Sequence, residues 1–192
     1  MSSEIKANKW SPATGTAATL GDSSDTFTVP SGVTLDIASG ATITNSGTAT
    51  GFGGDNTPSF GVHRATDFTV SAGTWTKLPF DTEDWDTDSA FDSSTNYRFT
   101  VPSGEGGKYV MWATARPTSL TSGDVYLRLY KNGSQTDYET LATHAGNAQV
   151  ECVAILSLAA SDYIEWYLYL HGSGSTLGGG TMIAAGFKLV GV

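Results

Sequence analysis

Apolar and polar residues alternate through the early part of the chain. Phe27, Val29, Val33, Leu35, Ile37, Ala41 and Ile43 stand mostly at odd positions, with Thr, Ser and Asp between them. Period two predicts an extended strand with one apolar face, carried here by Val29, Val33, Leu35, Ile37 and Ile43. Gly32, Gly40 and Gly47 punctuate it at near-regular spacing. So short a segment cannot bury enough surface to close a core of its own. Three copies around an axis would each supply one wall of a narrow prism, as fibrous β-units bury their faces only against neighbours. The expectation for 1–57 is an extended β-arm or short trimeric β-stalk. The alternative is a Gly/Ser/Thr linker, which has no need of alternation. Residues 47–58, rich in Gly and Asn and without periodicity, read as a hinge.

From Pro58 onward the pattern predicts short strands at 60–64, 74–80, 97–101, 108–115, 124–131, 148–158, 162–171 and 181–190. Turn signals separate them: Ser103-Gly104, Ser122-Gly123, Asn132-Gly133 and the glycine-rich run 172–180. The run 172–180 and the segment 114–123 are read as loops suited to contacting a partner. Asn132-Gly133-Ser134 is a glycosylation sequon by spelling, but Asn-Gly is a strong hairpin former and the turn reading is preferred. Two strands have both faces occupied, one aliphatic and one rich in Tyr. Ile164, Trp166, Leu168 and Leu170 alternate with Tyr163, Glu165, Tyr167, Tyr169 and His171; Val125, Leu127 and Leu129 alternate with Tyr126, Arg128 and Tyr130. The aliphatic faces suit a sandwich core, for which Phe99, Tyr109, Leu127, Leu129, Trp166, Leu168, Phe187 and Leu189 are the expected members. The tyrosine faces suit a subunit interface, where Tyr brings area at low entropy cost and keeps a hydroxyl. Tyr126, Tyr130, Tyr163, Tyr167 and Tyr169 are therefore the expected trimer contacts.

Composition supports this and removes other classes. The 192 residues are rich in Gly, Ser and Thr and lack long Ala/Leu/Glu/Lys stretches, which favours strands and turns over helices. The net charge is −9, shared between 1–57 and the remainder, with no basic stripe for a phosphate backbone; no nucleic-acid partner is expected. Cys152 is the single cysteine, so neither a disulfide framework nor a thiolate zinc site is available, and its apolar neighbours mark a buried thiol. The N-terminus lacks the apolar stretch of a signal peptide, and no apolar run approaches the roughly 18 residues of a membrane helix. A soluble product made in a cytoplasm, without a membrane partner, is expected.

The order of short motifs then resembles a known family, the jelly roll shared by the complement globular head and tumour necrosis factor. The resemblance covers about 58–192. It runs through Pro58-Ser59-Phe60, Leu78-Pro79-Phe80-Asp81, Phe91-Asp92 and Tyr97-Arg98-Phe99-Thr100-Val101-Pro102. It continues through Gly107-Lys108-Tyr109-Val110-Met111, Leu129-Tyr130-Lys131-Asn132-Gly133, Leu158-Ala159-Ala160-Ser161-Asp162-Tyr163-Ile164 and Gly186-Phe187-Lys188-Leu189. The chain departs from that pattern by inserting Gly104-Glu105-Gly106 and by Ser161 where the family usually has Gly; both fall in turns. The resemblance implies an all-β, ten-strand-type antiparallel jelly-roll sandwich that assembles as a compact homotrimer with aromatic side chains along its axis. The N-terminal segment resembles tail-fibre and appendage proteins of marine bacteriophages, in Ile-Lys-x-Asn-Lys-Trp-Ser-Pro at 5–12 and in Phe-Thr-Val-Pro-Ser-Gly at 27–32. That likeness implies a virion component. The hexapeptide recurs at 99–104, but one recurrence does not make a repeat protein.

Candidate chemistry is sparse. The run Asp81-Thr82-Glu83-Asp84-Trp85-Asp86-Thr87-Asp88 clusters carboxylates. Calcium wants six to eight oxygens, and Asp84, Asp86 and Asp88 would share one face of an extended segment, so they are the weak metal candidates. The competing reading is a solvated acidic loop without cofactor, because the run lacks the Gly and terminal Glu of a helix–loop–helix calcium site. His63, His144 and His171 form no metal-ligand spacing; His171, beside the tyrosine face, would lie near a trimer axis and could make assembly pH-sensitive. No nucleophile elbow or phosphate-binding glycine loop occurs, so no catalytic residue is assigned. The expected function is a homotrimeric phage fibre or appendage, bound to other virion proteins through 1–57 and exposing a head to a host surface glycan or protein. A capsid decoration trimer, clamped by the arm, is the alternative: 57 extended residues reach at most about 190 Å, short for a fibre and ample for a clamp. A glycan-active enzyme would need paired carboxylates in a cleft, which the local acidic run does not suggest.

Overall fold

The computed structural model describes residues 15, 23–44, 56–118, 120–143 and 149–189. The chain divides into two compact units, Met1–Ala49 and Thr50–Val192, earlier than the boundary expected after residue 57. The 5–12 motif, His144 and the end of the predicted strand 181–190 lie outside the described residues.

In the first unit, the described residues 23–44 contain no strand where the alternation predicts an extended one. Turns recur instead. Val33 N–H donates to the Pro30 carbonyl (3.2 Å) and Ala41 N–H to the Ala38 carbonyl (3.0 Å). Each turn passes through a left-handed residue, Gly32 (φ 83°) or Gly40 (φ 85°), and Ser24 (φ 77°) holds the corresponding place before them. Glycine takes that conformation without steric cost. The turns are eight residues apart. Phe27, Leu35 and Ile43 therefore occupy one position of an eight-residue repeat and Val29 and Ile37 another. All five, with Val33, are exposed.

The second unit is a sandwich of two antiparallel sheets with no helix among the described residues. Its strands are β1 (Ser59–His63), β2 (Phe68–Val70), β3 (Thr76–Lys77), β4 (Thr82–Asp86), β5 (Phe91–Asp92), β6 (Arg98–Thr100), β7 (Gly107–Pro117), β8 (Asp124–Lys131), β9 (Ser134–Thr143), β10 (Val150–Leu158), β11 (Tyr163–Leu170) and β12 (Ser175–Lys188). The first sheet runs β10-β7-β12-β1-β4, with β2 also paired to β12. The second runs β5-β6-β11-β8-β9, with β3 also paired to β11. This is the expected jelly roll, with twelve described strands rather than ten. Asn132 (φ 53°) and Gly133 (φ 74°) form the β8–β9 hairpin turn, with two successive left-handed residues suited to strand twist.

Three sequence expectations change. β9 was not among the predicted strands, because its exposed polar residues hide the alternation. The glycine-rich run 172–180 is not one loop: β12 starts at Ser175 and pairs with β2 before an irregularity between Leu177 and Met182. Glycine is needed there, since a Cβ on Gly179 would stand 2.3 Å from the Ala65 carbonyl oxygen. Likewise β7 extends to Pro117, which shortens the loop expected over 114–123.

The core lies between the sheets. Phe99, Tyr109, Leu127, Leu129, Trp166 and Leu168 are fully buried. Phe60 reaches across from the first sheet to Phe99 (centroids 4.9 Å apart), Phe91 (5.1 Å) and Trp166 (6.2 Å). Phe187 and Leu189 do not belong to this core: Phe187 is 37 % exposed and Leu189 only half-buried. The reason lies one residue away. A Cβ at Gly186 would sit 2.5 Å from Met111 Sδ and 2.8 Å from Phe60 Cε1, so the inward position must be bare. Strand alternation then turns Phe187 outward.

Candidate functional site

The tyrosines expected at a trimer interface do share one face, the outer face of the second sheet. Cross-strand register places Tyr126 opposite Tyr169, Arg128 opposite Tyr167 and Tyr130 opposite Glu165. Each tyrosine is already half-buried within one chain. Trp75, just before β3, packs on Tyr169 (5.4 Å), Tyr126 (6.4 Å) and Tyr130 (6.4 Å). Tyr130 meets Tyr167 at 4.1 Å, and burial pushes the Tyr167 hydroxyl pKa up, with Glu165 adding to the shift. The Arg128 guanidinium lies 4.5 Å from the Trp75 ring centre and pairs with Glu139 and Gln135. Arg98 covers Tyr163 at 4.1 Å. Lys77 pairs with Glu165, which is 6 % exposed. The chain thus covers much of this face with its own cations and indole. A shallow cavity of about 230 Å³ remains, lined by Trp75, Tyr126, Arg128, Glu139, Tyr169 and His171.

The outer face of the first sheet is different. Residues on β7, β10 and β12 align in rows: Ile155, Val110 and Phe187 in one, Val153, Trp112 and Ala185 in the next, Glu151, Thr114 and Ile183 in the third. Val153 (54 %) and Ile155 (57 %) are largely exposed. Trp85 of β4, 51 % exposed, lays its ring over Gly61, where a Cβ would meet it at 2.2 Å. Polar groups rim the patch: His63 Nδ1 lies 3.2 Å from Asp84, and Arg64 lies 2.5 Å from Asp81. Burial opposes ionisation of Asp81, but the Ala65 N–H and the Arg64 charge hold its pKa below the usual carboxylate range. None of these apolar side chains was singled out from the sequence as an interface. The usable signal was that Val153 and Ile155 are large while their neighbours Cys152 and Ala154 are small.

The acidic run is an edge strand rather than a solvated loop, and its three calcium candidates do not converge. A register shift between Gly61 and Val62 leaves Asp84 as the extra residue of β4, which breaks the shared face expected of Asp84, Asp86 and Asp88. Asp84 turns to His63. Asp86 accepts the N–H groups of Ala90 (3.0 Å) and Phe91 (2.8 Å). Asp88 accepts the Thr87 hydroxyl (2.7 Å). Among the described residues no three His, Cys, Asp or Glu side chains come together as a metal set. His171 is exposed at the cavity on the second sheet, away from the patch on the first. Cys152 is buried and its thiol pKa is pushed up to about 11 by desolvation.

No protein-family model matches the chain, and no curated protein sequence matches it. Solved structures do resemble the fold. The globular domain of zebrafish complement 1qA protein superposes with a TM-score of 0.52 at 18 % identity, covering 69 % of this chain and 97 % of that one. PRD1 vertex protein P5 gives 0.54 at 13 % identity, covering 71 % and 99 %. Eiger TNF from S. frugiperda gives 0.50 at 13 % identity, covering 68 % and 91 %. At these identities the likeness establishes the jelly-roll fold.

Proposed function

We propose that this chain is a structural, non-enzymatic virion protein: a homotrimer whose heads meet through the outer face of the first sheet and whose arm fastens it to the particle. The observation that carries this is the contiguous apolar patch of Val110, Trp112, Val153, Ile155, Ile183 and Phe187 beside Trp85. A patch of this kind, rimmed by polar groups, marks an interaction surface. Burying such side chains is worth about 25 cal/mol per Å² of apolar area. The arm points the same way. Its eight-residue repeat presents Phe27, Leu35 and Ile43 at one position, all exposed among the described residues, and stacked repeats from neighbouring copies would cover them. Three copies, rather than two, is what the family resemblance implies. Light scattering on the intact chain tests it: the expected mass is three times the 20.1 kDa protomer, and a monomer mass refutes it.

The virion reading is supported by the 5–12 and 27–32 motifs and by the fold shared with a vertex protein. A fibre or appendage with an outward head is the preferred role. Capsid decoration stands as the second, favoured by the short arm. Copy counting in purified particles separates them: a handful of trimers places the protein at the tail, and scores to hundreds on the capsid. Absence from purified particles would refute both.

A further inference from the structure

We propose that the cavity on the outer face of the second sheet binds a single neutral hexopyranose ring of a glycan. The cavity is about 230 Å³, below the about 300–1,000 Å³ of pockets for drug-sized ligands, so its occupant is one ring in size. A pyranose has an apolar C–H face and an edge of hydroxyls that both donate and accept. Trp75, Tyr126 and Tyr169 offer aromatic surface for the face. Arg128 offers donors, Glu139 acceptors, and His171 a ring nitrogen for the edge.

Other ligand classes fit less well. An aromatic cage usually receives a cation, but here Arg128 already lies 4.5 Å from the Trp75 ring centre, and a second cation would meet like charge. An anion would have to displace Glu139 from Arg128 and approach a chain of net charge −9. A neutral, polyhydroxylated ring needs neither change: it can bridge the existing pair. Four of the six groups stand on strands: Tyr126 faces Tyr169 across β8 and β11, and Arg128 faces Glu139 across β8 and β9. Trp75 and His171 directly flank β3 and β11, so little ordering is needed on binding. A shallow one-ring site binds weakly, in the millimolar range. Three copies on one trimer raise avidity by about 10²–10⁴, which is how the inference deepens the proposed function. The site itself lies within one chain, and its test does not depend on assembly.

Saturation-transfer NMR on the full chain with the methyl glycosides of glucose, galactose, mannose and N-acetylglucosamine is the experiment. At least one sugar is expected to show transfer to its ring protons, with Trp75→Leu weakening it at least tenfold and Glu139→Gln at least fivefold. Trp85→Ser, on the other sheet, is expected to leave it unchanged. Silence from all four sugars overturns the proposal. So does transfer that survives Glu139→Gln, which remains informative should Trp75→Leu fail to fold, or transfer lost equally in Trp85→Ser. Light scattering on the same samples separates the two readings: trimers that ignore every sugar sink the site alone, and monomers that bind sugar sink the trimer alone.

Discussion

The outer face of the second sheet carries five tyrosines, and the outer face of the first carries valine, isoleucine, phenylalanine and tryptophan. By residue type both look like interfaces. Their surroundings differ. On the second sheet Trp75, Arg128, Arg98 and the Lys77–Glu165 pair cover the rings from within the chain. On the first, Val153 and Ile155 stand more than half exposed. The contrast begins in the core. The second sheet turns Leu127, Leu129, Trp166 and Leu168 inward, while much of the first turns in Ala113, Ala115, Cys152, Ala154 and Ala184. A close-packed interior of fixed thickness that receives large side chains from one wall needs small ones from the other. Beside those small inward residues, alternation sends Trp112, Val153, Ile155 and Ile183 outward, while Phe60, Tyr109 and Met111 of the same sheet still fill the core.

The largest expected effect follows from that contrast. Val153→Glu with Ile155→Glu places two carboxylates per copy on the first sheet without touching the core, and should reduce the solution mass from three protomers to one. Tyr126→Ser on the second sheet should leave the mass at three. The opposite result, a mass that falls for Tyr126→Ser and holds for the double glutamate variant, would return the interface to the tyrosines.

Next in size is the cover of the tyrosine face. Lys77→Met leaves Glu165 buried without its cation, and breaking a buried pair from one side costs about 3–5 kcal/mol. The midpoint of denaturant unfolding reads it, and Lys77→Met with Glu165→Gln should recover much of the loss. Gly186→Ala probes the first sheet's inner wall. Its Cβ would press on Met111 and Phe60, and overpacking of this kind costs about 1–3 kcal/mol. A neutral result would mean that the wall has slack, and that Phe187 is outside for another reason.

Much of the fold was legible because turn chemistry and alternation agree. Asn132-Gly133 specified a hairpin, and Ile164, Trp166, Leu168 and Leu170 marked the core side of β11 without ambiguity. The candidate site was less legible. Equating the larger apolar residue with the inner face works for β8 and β11 and fails for β10 and β12, where Ala154 and Gly186 are inside and Ile155 and Phe187 outside. Which reading holds depends on the opposite wall, a non-local fact. The same is true of Trp75, which the sequence marks only as a strand residue; its packing on three tyrosines comes from the β3–β11 pairing. Asp84 was misread for a local reason, since one inserted residue in β4 changes the face of everything beyond it.

The smallest expected effect concerns the polar seam that ties the second sheet's hairpin to its neighbour. Asp162 accepts from Lys131 Nζ (2.7 Å), Asn132 Nδ2 (2.7 Å) and the Ala159 N–H (2.8 Å). The hydrogen bond from Lys131, then those from Asn132 and Ala159, hold its pKa down to about 2. The unfolded chain should titrate near about 3.9. A depressed carboxylate contributes stability that is present above the unfolded value and lost as pH falls through the folded one. Asp162→Asn should therefore cost on the order of 1 kcal/mol at neutral pH, allowing for solvent screening at this partly exposed site. The gap between variant and parent should narrow between about pH 4 and pH 2. Unfolding midpoints across that window check it. The seam lies within one chain and on the sheet opposite the apolar patch, so Asp162→Asn should shift the midpoint and leave the trimer's mass at neutral pH unchanged. A loss of mass in this variant would mean that the two faces are coupled through the sandwich rather than independent.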